Sequence, residues 1–268
     1  MLISIVTPSY NQAKYIERTI KSVLDQGDDV EYIVVDGVSD DGTVDVLNEY
    51  EQQITKVIIE PDRGQADAVE KGFAQASGEI LAFLNSDDVL LPGALDYVRE
   101  VFAANPDLDV IYGHRVVIDD EDQVQRFWIL PPHVSYLQKR WDFIPQETCF
   151  WRREAYDWVG GIDPSYQFAL DYDLFVRMMN VCRIKRVNRF LAAFREHDEA
   201  KTSSVMDGIG LQEIERVRRR YGIRMTGGFL ERVTAKLFFM SIVYPGAAYR
   251  LFRLGGRRDT KLRDFESK

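Results

Sequence analysis

Residues 80–84, ILAFL, form a short apolar run that stops at Asn85-Ser86-Asp87-Asp88. Two adjacent carboxylates at the end of a buried strand are costly to ionise together unless a cation lies between them. Their oxygens are hard ligands suited to Mg2+ or Mn2+, ions that commonly complete their coordination with substrate phosphates. Three other apolar runs end in comparable polar clusters: residues 2–6 in Thr7-Pro8-Ser9-Tyr10-Asn11, residues 32–35 in Asp36-Gly37-Val38-Ser39, and residues 57–59 shortly before Asp62-Arg63-Gly64-Gln65. Singly, each cluster fits turn chemistry or, for Asp87 and Asp88, capping of a helix that begins near Pro92. Together they point to a shared ligand, because a turn does not need a carboxylate at the end of a buried strand. Asp36 could accept a hydrogen bond from a base N–H, Thr7 and Pro8 offer backbone contacts, and the fourth cluster would hold a metal-bound diphosphate. No GxGxxG follows the first run and no GxxxxGK[ST] occurs, so neither a Rossmann dinucleotide site nor a P-loop is indicated.

The elements that must position these clusters are legible in the periodicity. Ile16, Ile20, Val23 and Leu24 recur at helical spacing, as do Val44, Leu47 and Tyr50, then Ala66, Val69, Phe73 and Ala76, then Leu95, Val98 and Phe102 behind Pro92. Short apolar runs alternating with amphipathic helices predict βαβ units. The expected fold is therefore α/β, with a mostly parallel central sheet and helices on both faces. In such a sheet the ligand crevice lies beyond the carboxyl ends of the strands, where the four clusters fall. After about residue 109 the rhythm changes to short strands at 110–112, 116–118 and 124–128, joined by Asp119-Asp120-Glu121-Asp122. A helix over 171–181, a strand over 190–194 and a helix over 204–221 follow.

Composition narrows the class. The 268 residues are 46% hydrophobic with a net charge of −9, but residues 214–268 alone hold fourteen Lys/Arg against five Asp/Glu, which leaves a strongly acidic body. An acidic body that handles a diphosphate needs a cation as intermediary, and it argues against nucleic acid as a partner. Cys149 and Cys182 stand far apart with no ligand spacing and read as reduced thiols. The MLISIVTPSYN start lacks a basic n-region and reads as a strand, and no apolar run reaches the roughly 18 residues of a membrane span. A cytoplasmic location is expected.

The ordered stretches TPSYNQAKYIERTIKSVLDQ (7–26), YIVVDGVSDDGT (32–43), DRGQADAVEKGFAQASGEILAFLNSDD (62–88), LPGAL (91–95), FIPQETCFWRREAYDWVGGID (143–163) and ALDYDLFVRM (169–178) resemble the family 2 glycosyltransferases of the GT-A fold. The resemblance spans roughly residues 3–200 and implies a catalytic domain over 1–203, with a nucleotide-binding half at 1–108 and an acceptor half at 109–203. It implies that Asp36 binds the nucleobase with Pro8 and Tyr10 beside it, and that Thr7 and Ser39 belong to the same nucleotide-sugar site. Arg63, Gln65, Asp67 and Ser86 would line that site. Asn85-Ser86-Asp87 takes the family's DxD position with Asn in place of the first Asp, so Mn2+ or Mg2+ falls to Asp87 and Asp88. Asp171 matches the family's catalytic Asp, although Leu170 stands where the pattern has Glu. His197 would complete the metal shell and Lys201 would lie near the diphosphate; the plain alternative for His197 is a loop histidine beside Asp198 and Glu199. Trp151 and Arg152 are placed on the acceptor side, with core packing as the alternative for Trp151. Asp171 could also cap its helix, which is compatible with catalysis.

The implied reaction is metal-dependent, inverting transfer of a sugar from a nucleotide-diphosphate donor to a hydroxyl of a glycan or lipid-linked acceptor, in surface polysaccharide synthesis. A non-catalytic sugar-binding protein of the same fold is the alternative, and nucleotidyl transfer a more distant one. Residues 204–268 read as a basic amphipathic helical extension. In FLERVTAKLFFMSIVYPGAAYRLFRL, Leu230, Val233, Leu237 and Met240 recur at helical spacing among Arg232, Lys236, Arg250 and Arg253. Such a segment fits a helix docked peripherally on the inner face of the cytoplasmic membrane or one packed on the catalytic domain. The width of its apolar surface favours the membrane.

Overall fold

Alternation along the first strand decides how the sheet is covered. In a computed structural model, which describes residues 1–197, 206–254 and 260–262, β1 (Ile3–Ser9) sends Ile3 and Ile5 to one face and Val6 to the other. Ile3 and Ile5 share a core with Ile16, Ile20 and Val23 of α1 (Ile16–Leu24), Leu47 of α2 (Thr43–Tyr50) and Leu95, Val98 and Phe102 of α4 (Ala94–Ala104). Val6 packs with Ala66, Val69 and Phe73 of α3 (Gln65–Gln75). Gly72 lets that helix approach closely, since a Cβ there would overlap the Val6 side chain. Each helix buries the face its spacing predicts, at helical and strand periods respectively.

Among the described residues the sheet has nine strands. β3 (Lys56–Ile59), β2 (Val30–Asp36), β1 and β4 (Ile80–Phe83) lie side by side and all pair in parallel. The chain turns from β1 toward β2 and β3, then returns to place β4 on the other side of β1. That reversal puts a switch-point crevice at the carboxyl ends of β1 and β4. Beyond β4 the sheet is mixed. β8 (Cys149–Arg152) runs antiparallel between β4 and β6 (Val110–Ile118), and β9 (Ile184–Arg195) is parallel to β6. The two short strands expected at 110–112 and 116–118 are thus one, continuous through Gly113-His114-Arg115. β9 extends well before residue 190 because its polar first half is paired along β6.

The two-residue strand β5 (Val89–Leu90) follows the Asp87-Asp88 turn and pairs antiparallel with Ala192 and Ala193 of β9. This pairing brings the far end of β9 beside the acidic turn. α5 (Ser135–Trp141), α6 (Arg153–Trp158) and α7 (Leu170–Val181) complete the second half.

The extension does two things at once. After a π-turn over Met206–Gly210, the helix Leu211–Arg220 packs beside α7, and a 26-residue helix, Phe229–Leu254, lies along β7 (Val124–Trp128). Phe238 packs on Trp141 and Phe143, Phe239 on Trp128, and Tyr249 on Phe127 and Phe190. Gly246 presses on the Phe127 carbonyl where no side chain fits. Of the two placements open for this segment, packing on the catalytic domain holds for one face. The opposite face, with Leu230, Leu237, Tyr244, Leu251 and Phe252, is exposed. Among the described residues no helix is long and apolar enough to cross a membrane.

Candidate active site

The strand ends open into one cleft of about 1150 Å³. Pro8, Tyr10, Gly37, Asp62 and Gly64 line one wall, Asn85, Ser86 and Asp87 the floor, and residues 141–147 with Leu170, Asp171 and Arg218 the other wall. A volume above the usual range for single small-molecule pockets suits two substrates held together.

The acidic turn is held from three sides. The Thr19 hydroxyl of α1 donates to the Ser86 and Asp88 carbonyls at 2.9 and 2.7 Å. Arg195, fully buried at the end of β9, donates its Nε to the Asp87 carbonyl at 2.9 Å and pairs with Asp122 at 2.7 Å. The Arg195 amide donates to Asp88 Oδ1 at 3.0 Å. The two acids therefore divide. Asp88 is fully buried and turned into the protein, and burial, with Asp87 adjacent, pushes its carboxyl well above the ordinary range. Asp87, its side chain 19% exposed, faces the cleft and accepts a hydrogen bond from His197 Nε2 at 3.1 Å. Of the two acids assigned to the metal, Asp87 lines the cleft, and the Asp88 carboxylate accepts the Arg195 amide behind the turn.

At the cleft floor the Asp87 carboxylate, backed by the His197 imidazole, suits Mn2+ or Mg2+ when phosphate oxygens and water supply the remaining ligands. Among the described residues no group of three or more His, Cys, Asp or Glu could hold an ion without such help.

Asp171 stands in the first turn of α7 and lines the opposite wall. Burial pushes its carboxyl up to about 6, against hydrogen bonds from the Tyr172 and Asp171 amides and the charge of Arg115. Leu170 is buried in the core, so it offers no carboxylate over the helix terminus. That role falls to Glu213, whose carboxylate accepts the Gln167, Phe168 and Ala169 amides at 2.8–3.1 Å. Glu213 thus fixes the loop that leads into Asp171. Asp173 faces inward, ion-paired to Arg177 at 2.7 Å.

Several expected residues sit beside the cleft rather than in it. Asp36 is buried and accepts both the Ser39 amide and hydroxyl, at 2.8 and 2.7 Å, across Val38 in a left-handed conformation (φ 66°). Thr7 accepts the Tyr32 hydroxyl in the interior. Arg63 is exposed and paired with Asp67, which also caps the Arg63 amide, so these two order the Asp62–Gly64 turn. Gln65 reaches Asn85 Oδ1 at 2.6 Å and does line the cleft. Lys201 lies outside the described residues.

Trp151 and Arg152 are not on the acceptor side. Trp151 is fully buried among Phe73, Phe83, Tyr156 and Phe175, and Arg152 donates to the Phe102 and Leu108 carbonyls. β8 runs antiparallel to β4, so its Trp151-Arg152 end lies at the foot of the sheet, away from the cleft.

Residues not singled out from sequence occupy the wall that carries Asp171. Arg115 forms a two-point ion pair with buried Glu147, at 2.6 and 2.7 Å, and lies over the Trp128 and Phe194 rings. Its signal was available: a lone arginine within the nine-residue apolar strand VIYGHRVVI. Trp141 and Asp142 had no such signal, because they end a seven-residue helix without marked periodicity.

Comparison with known proteins accords with this geometry. The family model described as Glycosyl transferase family 2 matches residues 4–157. An uncharacterized glycosyltransferase of Nostoc sp. is 32% identical over 244 residues, covering 86% of this chain and 74% of its own. TuaG of Bacillus subtilis, a putative teichuronic acid biosynthesis glycosyltransferase, is 36% identical over 139 residues, 50% of this chain and 55% of that relative. Among solved structures, the mannosyltransferase PcManGT of Pyrobaculum calidifontis, in complex with GDP-Man and Mn2+, superposes with a TM-score of 0.62. Its identity is 17%, and the match covers 95% of this chain and 79% of that one, a likeness of fold.

Proposed function

Because the chain belongs to glycosyl transferase family 2, with its GT-A fold, and is a glycosyltransferase, we propose that it moves a sugar from a nucleotide-diphosphate donor to an acceptor hydroxyl with inversion. The observation that carries this reading is the convergence on one cleft of Asp87, backed by His197, and the raised carboxyl of Asp171. The nucleotide lies along Pro8, Tyr10, Gly37 and Asp62. Asp36 and Ser39 act beneath it as a rigid base, and Arg63 and Asp67 order the neighbouring turn. Asp87, with His197 behind it, would hold a divalent cation, which would offset charge on the diphosphate. Asp171 accepts the acceptor hydroxyl's proton as that oxygen bonds to the anomeric carbon and the bond from that carbon to the diphosphate oxygen breaks. The TuaG likeness supports an acceptor in cell-surface polysaccharide assembly, glycan or lipid-linked.

Thermal-shift titration with UDP, dTDP and GDP, each with and without Mn2+, tests the donor side. A native-state ligand at a hundred times its Kd adds roughly 2.7 kcal/mol of stability. One nucleotide is expected to raise Tm several degrees, and more with Mn2+; no shift with any of them would sink the reading.

The exposed face of the Phe229–Leu254 helix supports peripheral contact with the cytoplasmic face of the membrane. Leu230, Leu237, Tyr244 and Leu251 form an uncharged stripe along that face, and Arg232 and Lys236 flank its first half. Apolar insertion beside basic residues suits an anionic interface. The full chain is expected to sediment with vesicles containing anionic lipid, and the Leu237→Glu, Leu251→Glu double variant to stay in the supernatant. Equal partitioning of the two would rule the contact out.

A further inference from the structure

Trp141 and Asp142 end α5 on the cleft wall that carries Asp171. Asp142 is held in a left-handed conformation, φ 34° and ψ 84°, with its amide donating to the Gln138 carbonyl at 3.0 Å. For a residue with a Cβ this conformation is strained. Its carboxyl receives no hydrogen bond from any described residue, although it is half-buried and close enough to Asp171 to feel that charge. Across the same wall, Arg218 donates Nη2 to the Arg140 carbonyl at 2.7 Å, while its buried Nε has no partner among the described residues. The Asp142 carboxyl and the Arg218 guanidinium therefore both line the cleft wall that carries Asp171.

The third member is aromatic. Trp141 is half-buried, lines the cleft, and rests on Phe238 of the C-terminal helix, with ring centroids 5.7 Å apart and planes at 29°. Phe238 also backs Phe143 at 4.1 Å, so the C-terminal helix braces this wall from behind. A pyranose ring offers an apolar face of C–H groups and an equatorial rim of hydroxyls. An indole beside a carboxyl and a cleft-lining guanidinium matches both, through ring contact and directional hydrogen bonds.

We propose that Trp141, Asp142 and Arg218 form the subsite for the acceptor's terminal sugar, with its ring against Trp141 and its hydroxyls bonded to Asp142 and Arg218. The acceptor is therefore a glycan end rather than a bare lipid phosphate or a protein hydroxyl. The subsite adjoins Asp171, so a hydroxyl of the bound sugar lies beside the proposed base. Phe238 is a positioning residue, acting through Trp141. The inference rests on the proposed transferase reading, since it takes the nucleotide to occupy the opposite wall.

The test uses the full chain with Mn2+, the donor found by thermal shift, and a panel of methyl glycosides of glucose, galactose, mannose, N-acetylglucosamine and glucuronic acid as acceptors. Trp141→Ala and Asp142→Asn are each expected to raise the KM for the accepted glycoside about tenfold or more. Trp141→Phe, which keeps a ring, should stay within about threefold of the parent. Donor KM, acceptor-independent donor hydrolysis and the nucleotide-induced Tm shift should hold in all three, which also shows that the variants fold. Unchanged acceptor KM in both Trp141→Ala and Asp142→Asn, with donor behaviour intact, overturns the subsite and leaves the transferase reading standing. So does a parent enzyme that hydrolyses donor but transfers to no glycoside in the panel. Loss of the nucleotide shift in the parent removes the transferase reading itself.

Discussion

Asp171→Asn is expected to lower the rate of transfer by about 10²- to 10⁴-fold while leaving donor KM and the nucleotide-induced Tm shift in place. The substitution keeps the size of the side chain and its position in the first turn of α7, and Asn Oδ1 can still accept the Tyr172 amide that now bonds Asp171 at 2.8 Å. What is lost is the capacity to take a proton. Burial lifts this carboxyl to about 6, so it is largely ionised at neutral pH yet basic enough to share a proton with an attacking hydroxyl. Because the working form is the carboxylate, kcat/KM should fall as pH drops through about 6. The apparent value belongs jointly to Asp171 and Asp142, whose charges interact. Stability supplies a separate readout of opposite sign. A carboxyl whose folded value is raised binds more protons in the native state, so its penalty is absent below about 4 and grows as pH rises toward 6. Asp171→Asn should therefore raise Tm at pH 8, by at most about 3 kcal/mol of stability, and leave it nearly unchanged at pH 4. Transfer within tenfold of the parent would exclude Asp171 as the base, whatever the Tm does.

The parallel half of this fold was legible because its forces are local. Each of the first four strands lies within three residues of its apolar run, and α1 to α4 bury the faces that spacing assigns. The second half depends on pairings that no window of sequence contains. β5 is two residues long and exists because β9, a hundred residues later, offers Ala192 and Ala193. β8 enters antiparallel between β4 and β6, which sends Trp151 into the core although its neighbours belong to a motif. The same logic separates the site residues. Asp87, Asp171 and Gln65, which line the cleft, stand out in sequence because a carboxylate or amide at a strand end or helix start has few local uses. Asp88 was not separable from Asp87, since adjacent residues on a turn point apart and the Arg195 amide that captures one of them is remote in sequence. Glu213, Trp141, Asp142 and Arg218 acquire meaning only once the extension is seen to pack against the wall that carries Asp171, a contact invisible to periodicity.

That division of the acid pair makes the larger prediction. Asp87→Ala should reduce metal-supported transfer by about a thousandfold or more, the order of effect expected when the group that anchors a charge-neutralising cation is lost. It should also abolish the extra Tm shift that Mn2+ adds to the nucleotide, a readout independent of turnover. His197→Ala should weaken the Mn2+ dependence by roughly 10- to 100-fold, because His197 bonds Asp87 from behind as well as offering its own nitrogen. Asp88→Asn is the informative control. Its amide oxygen can still accept the Arg195 N–H at the same place, and the buried position already disfavours charge, so metal response should survive with at most a change in stability. A cation held between two equivalent adjacent acids would make Asp87 and Asp88 interchangeable, and both variants would lose Mn2+ alike. A cation held at the cleft floor by Asp87, with Asp88 bolting the turn to β9, requires the two to differ. Mn2+ titration of the nucleotide-bound protein, followed by electron paramagnetic resonance, separates these cases. Loss of binding in Asp88→Asn with retention in Asp87→Ala would reverse the assignment.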